Sequence, residues 1–176
     1  MAEELIDLVD QNNHPLGATK ERSAVHRDGD WHRTVHIYFV NKKDDFLVHL
    51  RSPLKDLSPS KWDARFGGHV ITGKTQEETV HGELKDELGV NLEPSQLIEG
   101  NTYQEANGKN NEFTKVYYYQ FNKDLSSLTF DDREVREVRW TSPHEIQREL
   151  RKNPSQWAGN LHIFQKIYRD YQKLQE

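Results

Sequence analysis

The sequence predicts an α/β fold, a mixed β-sheet flanked by helices, and three observations lead there. Runs rich in β-branched and aromatic residues alternate with segments that carry an apolar stripe at helical spacing. Cap residues bracket the helical segments. No internal repeat, low-complexity run or Pro/Gly/Ser linker divides the 176 residues, so 1–176 is expected to form one domain.

Leu5 to Val9 reads as a short first strand, closed by the turn-forming Gln11-Asn12-Asn13-His14-Pro15. Val35 to Val40 and Phe46 to Leu50, joined by the polar turn Asn41 to Asp45, read as a β-hairpin. Thr75 and Glu78 have the spacing of a helix capping box, and Gly89 stands where that helix ends. Val80, Leu84 and Leu88 give it one apolar face. Three more strands follow, at Gln96 to Tyr103, Glu112 to Phe121 and Glu134 to Trp140. Pro143 to Lys152 begins with the Ser142-Pro143 cap, and a last helix at about 160–175 places Leu161, Phe164, Ile167, Tyr168 and Tyr171 on one side.

Composition excludes several functions. With 24 Lys and Arg against 29 Asp and Glu the net charge is −5, which argues against a broad surface for a nucleic-acid polymer. Four Trp, seven Tyr and seven Phe are more than a disordered chain carries. No stretch approaches the roughly 20 apolar residues that span a bilayer, and the first ten residues are acidic, so no membrane partner and a cytoplasmic location are expected. There is no cysteine, which removes disulfides, thiolate metal sites and thiol nucleophiles.

The chemistry concentrates between Gly67 and Val90. A Gly-Gly pair leads through a turn into the capped helix, on which Glu83, Asp86 and Glu87 stand at i, i+3 and i+4. Three carboxylates so close repel unless a cation sits among them, and hard oxygen donors suit Mg²⁺ or Mn²⁺. Glycine lets a backbone carbonyl, that of Gly68, approach the same ion.

This segment resembles the Nudix box. Aligned on Gly68 and Gly89, it matches at Gly68, Glu83, Leu84, Glu87, Gly89 and Val90, with Asp86 a chemically similar replacement. Two positions depart: Lys74 stands in place of the first Glu and Gly82 in place of the Arg, a pair that commonly braces the box. The resemblance implies a Nudix-type fold and hydrolysis of a diphosphate linkage in a nucleoside diphosphate or its derivative, a small-molecule substrate. It implies a metal held by Gly68, Glu83, Asp86, Glu87 and His69, and catalysis by Glu83, Glu87 and Glu112, with the general base either Glu87 or Glu112. Arg51, Lys61 and Arg65 are candidates for the substrate phosphates, and Trp62, Phe66 and Tyr103 for stacking on a base. A homodimer is compatible with the family. The alternative is a Nudix-fold nucleotide-binding protein with weakened catalysis, Lys74 occupying the place of the cation.

Beyond the box, Leu8 to Asn13, Val25 to Arg33, Leu50 to Pro53 and Lys61 to His69 resemble the branch related to isopentenyl diphosphate isomerase. Those isomerases bind a metal through histidines and glutamates. Here His26, His32, His69 and Glu112 fall at similar places, and Asn110 replaces a second Glu. His26 and His32 read equally well as surface residues. Gly67 replaces the catalytic cysteine, so isomerase activity is not expected.

Overall fold

The computed structural model describes residues 3–55, 57–131 and 133–176. Its framework is one mixed sheet. The strands are β3 (Trp31–Val40), β4 (Phe46–Arg51), β5 (Trp62–Asp63), β6 (Phe66–His69), β7 (Leu97–Ala106), β8 (Asn111–Gln120) and β9 (Val135–Thr141). They run in the order β5-β4-β3-β8-β7, with β6 on β3 and β9 on β4. A separate ribbon, β1 (Leu5–Val9) with β2 (Pro15–Glu21), precedes it and leads into helix α1 (Arg22–Asp28). The remaining helices are α2 (Gln76–Leu88), α3 (Pro143–Lys152) and α4 (Leu161–Leu174).

The expected hairpin between β3 and β4 is present only at its closed end, where Val40 pairs with Phe46. Beyond that pair the strands part. The start of β3 takes β6 as its antiparallel neighbour, from Thr34 with His69 to Ile37 with Phe66, while β4 pairs with β9. The other edge of β3 lies parallel to β8 over ten residues, from Trp31 with Asn111 to Val40 with Gln120. Sequence reading placed neither β2 nor α1. The former, Pro-Leu-Gly-Ala-Thr-Lys-Glu, is exposed along almost all its length and so has no alternating apolar face to betray it.

Alternation along β3 and β8 separates two apolar layers. Val35, Ile37, Phe39, Tyr117 and Tyr119 meet Val80, Leu84 and Leu88 of α2. Tyr38, Val40, Val116 and Tyr118 meet Ile146 of α3 and Phe164, Ile167 and Tyr171 of α4. Trp140 packs in the first layer as a core aromatic.

Helix α2 is fixed at both ends. Thr75 Oγ1 accepts from the Glu78 amide at 3.1 Å while a Glu78 carboxylate oxygen accepts from the Thr75 amide at 2.8 Å, so the capping box closes as expected. Gly89, at φ 66°, ends the helix in the left-handed region and returns its amide to the carbonyls of Leu84 and Lys85. Asn160 caps α4 through the Ile163 amide at 3.0 Å. No helix among the described residues is long and apolar enough to cross a membrane.

The cap of α2 gives a direct test of how the helix is held. Thr75→Ala is expected to cost about 1 kcal/mol and to lower the melting temperature by roughly 2–4 °C, read by thermal denaturation.

Candidate functional site

Helix α2 lays its carboxylates against β6. The Glu83 carboxylate rests on the α-carbon of Gly68, so close that any side chain at 68 would overlap it. Glu87, one turn on, has a carboxylate oxygen buried with no hydrogen-bond partner. Asp86 is exposed at the rim of the same face. Together they line a cavity of about 670 Å³ that also holds Gly67, His69, His49, Arg51 and Arg65.

Burial, with Glu4, Asp86 and Glu134 nearby, pushes the Glu83 carboxyl up to about 7. Burial and Glu83 itself push Glu87 up to about 8. Both groups resist carrying charge where they sit, and a divalent cation among them would offset that charge.

Six carboxylates and five Arg or Lys side chains are found among the described residues lining the cavity. The Arg51 guanidinium donates to the carbonyls of Leu57 at 2.9 Å and Ser58 at 3.1 Å. Arg65 makes a two-pronged contact with Asp63, at 2.9 and 3.0 Å, and its positive charge holds Asp63 down at about 2 although burial opposes this. Sequence reading missed Lys55, Arg22 and Arg133, which the fold brings to the same cavity from three separate segments. No local pattern marks a surface Lys or Arg for such a place.

The structure corrects several expectations. Lys61 does not line the cavity; it contributes a backbone carbonyl that accepts from the Arg51 amide at 2.9 Å. None of the three proposed stacking residues lines it either. Trp62 lies under the Arg139 guanidinium at 4.0 Å, Phe66 is core, and the Tyr103 hydroxyl donates to Asp170 beneath α4. Lys74 reaches across Gly82, its ammonium 3.9 Å from where a Cβ would stand, and stays out of the cavity lining.

Glu112 is also elsewhere. By alternation along β8 it shares a face with Val116 and Tyr118, on the α4 side of the sheet. There it joins His26 from α1, His32 from β3 and His69 from β6, whose ligating atoms all lie within 4.8 Å of one another. His26 and His69 approach at Nε2 to 3.2 Å, and His32 Nε2 stands 3.6 Å from Glu112. His32 is fully buried, with Nδ1 3.0 Å from the Asp30 carbonyl. Donation by Nδ1–H turns the Nε2 lone pair into the cluster, where it has no hydrogen-bond partner. Burial, then Arg22 and His32, lower the His69 pKa, while burial and His32 lower that of His26. Three imidazoles beside one carboxylate form a donor set that fits a Zn²⁺ or Mn²⁺ ion. His69 thus turns its ring to the histidines, although it also borders the carboxylate cavity.

A NUDIX domain model matches residues 30–161, most of the chain. The chain belongs to the Nudix family. It is 37% identical over 142 residues to an uncharacterised Nudix hydrolase of Clostridium acetobutylicum, covering 77% of this chain and 68% of that one. It is 36% identical over 161 residues to Nudix hydrolase 3 of Arabidopsis thaliana, covering 86% of this chain but only 21% of that much longer protein. An isopentenyl-diphosphate Delta-isomerase of Brevibacterium linens is 28% identical over 88% of this chain and 85% of its own length. Among solved structures, DR0079 of Deinococcus radiodurans superposes with a TM-score of 0.75 at 21% identity, over 96% of this chain and 99% of that one. The NUDIX domain of Shewanella oneidensis NrtR, solved with ADP ribose, gives 0.60 at 14% identity, over 82% and 88%.

Within this Nudix chain, Gly67 marks the difference from the isomerases in physical terms. It pairs with His36 at φ 132°, and a Cβ built there would collide with the Val35 carbonyl. Gly67→Cys is therefore expected to lose on the order of 2–4 kcal/mol of stability and to gain no turnover of isopentenyl diphosphate, measured by melting and by product analysis.

A second expectation follows from the carboxyl pair. Their folded pKa values lie above the ordinary 4.5, so the stability of the metal-free protein linked to them is complete below about pH 4.5 and is lost as pH rises through 7 and 8. Magnesium at a hundredfold excess over its dissociation constant should raise the melting temperature by roughly 5–10 °C at pH 8.5. At pH 6, where protons compete with the ion, the rise should be smaller; an equal rise at both pH values would contradict the assignment.

Proposed function

We propose that this Nudix protein hydrolyses the diphosphate linkage of a nucleoside diphosphate or a nucleoside-diphosphate derivative with Mg²⁺ or Mn²⁺. The observation that carries the reading is the buried Glu83 and Glu87 pair, with its orphan oxygen, in a cavity that five Arg and Lys side chains also line. ADP ribose, present in the NrtR NUDIX domain of the same fold, belongs to this chemical class.

Glu83 and Glu87, with Asp86 at the rim and the Gly68 carbonyl, would hold the cation. Bound there, the ion supplies neutralisation of the diphosphate charge and a lower pKa for water. Arg51 and Lys55 line the same cavity and would meet the anionic substrate there, with Arg65 at its border. Arg51 exchanges its loop carbonyls for phosphate oxygens, to which its planar fork is better matched. Arg65, tied to Asp63, presents its remaining donors from a fixed position. The position of Lys74 against Gly82 supports the enzyme over the binding-protein reading, because no lysine of the box enters the place of the cation.

His26, His32, His69 and Glu112 would hold a second ion that fastens α1, β3, β6 and β8 together. Its part is to brace the sheet behind β6, away from the reacting bond.

Product release from a panel of nucleoside diphosphates, dinucleoside polyphosphates and ADP ribose with Mg²⁺ tests the proposal. Glu87→Gln should reduce kcat by at least about a hundredfold, the scale of removing one group that stabilises transition-state charge. Turnover equal to wild type would sink the metal assignment.

A further inference from the structure

Hydrolysis of a phosphoanhydride needs a group that takes a proton from the attacking water, and this inference rests on the hydrolase reading. Glu112 is on the wrong face of the sheet. Glu83 and Glu87 are the buried pair assigned to the cation, and Asp86 stands beside them on the same helix face. Asp131 is held in a fork by Arg133, at 2.7 to 3.2 Å, and Glu4 is exposed with Arg22 at 3.8 Å. Of the described carboxylates that line the cavity, Glu134 remains.

Glu134 sits immediately before β9, lines the same cavity as the α2 carboxylates, and its charge is felt at both Glu83 and Glu87. Its backbone is fastened on two sides: the amide donates to the Asp131 carbonyl at 2.8 Å, and the carbonyl accepts from the Ser52 amide at 3.1 Å. The side chain is about one third exposed, and among the described residues its hydrogen-bonded partner is the Lys55 ammonium. Lys55 lines the same cavity and is itself a cation for phosphate.

We propose that Glu134 is the general base of this Nudix hydrolase and that Lys55 keeps it engaged until substrate arrives. A bound diphosphate competes for the Lys55 ammonium, and Glu134 is left without its partner beside the water. Its carboxylate then takes one proton as the water oxygen bonds to phosphorus. The bridging P–O bond breaks, its electron pair departs with the leaving phosphate oxygen, and that oxygen is protonated from solvent. Glu134 returns its proton to solvent in turn.

The test compares Glu134→Gln, Glu134→Ala and Lys55→Met with wild type on the same panel with Mn²⁺. Glu134→Gln is expected to lower kcat by about 10²–10⁴-fold with KM changed by less than about threefold. Calorimetry should show its Mn²⁺ affinity within about twofold of wild type, as for a residue that is not a metal ligand. Added formate should restore part of the rate to Glu134→Ala, which a merely structural role would not allow. Lys55→Met should raise KM by about tenfold or more and affect kcat less. A Glu134→Gln enzyme that keeps more than about a tenth of kcat, or a loss of Mn²⁺ affinity equal to its loss of activity, would overturn the base assignment alone. A wild type that cleaves nothing in the panel would overturn the hydrolase reading, and this assignment with it.

Discussion

The packing of α2 on the sheet through Val80, Leu84 and Leu88 is the constraint around which the site is arranged. It brings the Glu83 carboxylate over the bare Gly68 of β6 and buries two acidic groups one turn apart. Their repulsion and burial oppose folding. The capping box, the Gly89 terminus and the fully buried Val80, Leu84 and Leu88 hold the helix in place against that cost. The helix is positioned from its ends and its apolar face, and Lys74 lies beside Gly82.

Much of this was legible in the chain, and the limits are physical. Alternation and capping residues located α2, α3, α4 and the long strands, because each signal is local. The three carboxylates were legible for the same reason, as neighbours on one helix face. Glu112 was placed in the site by resemblance. Period-two alternation shows that two residues share a face, but not which face, and that is decided by strand pairing. The β3 and β4 hairpin was right at its turn and misleading beyond it, since the partners of Thr34 to Ile37 lie some thirty residues downstream. Lys55, Arg22 and Glu134 come from three segments with no common pattern, and only the closed fold shows them around one cavity.

The sheet carries different chemistry on its two sides. On the α2 side, oxygen donors and guanidinium groups suit a hard cation and phosphate; on the other, imidazoles suit a softer metal. The strand β6 belongs to both, with Gly68 against Glu83 and His69 among the histidines. In a chain that resembles the isomerases, the residue between strand and site has become a glycine whose conformation depends on having no side chain. Gly67, Gly68 and His69 thus bring the two sides of the sheet together within three consecutive residues.

The histidine cluster also has a history within each molecule. Its donors are spread from residue 26 to residue 112, and His32 faces Glu112 only because β3 and β8 lie in parallel register. Parallel pairing across such a separation closes a long loop and is slow to form. The four side chains consequently come together as a set only where that ladder closes. A metal bound by all four would report completion of the sheet.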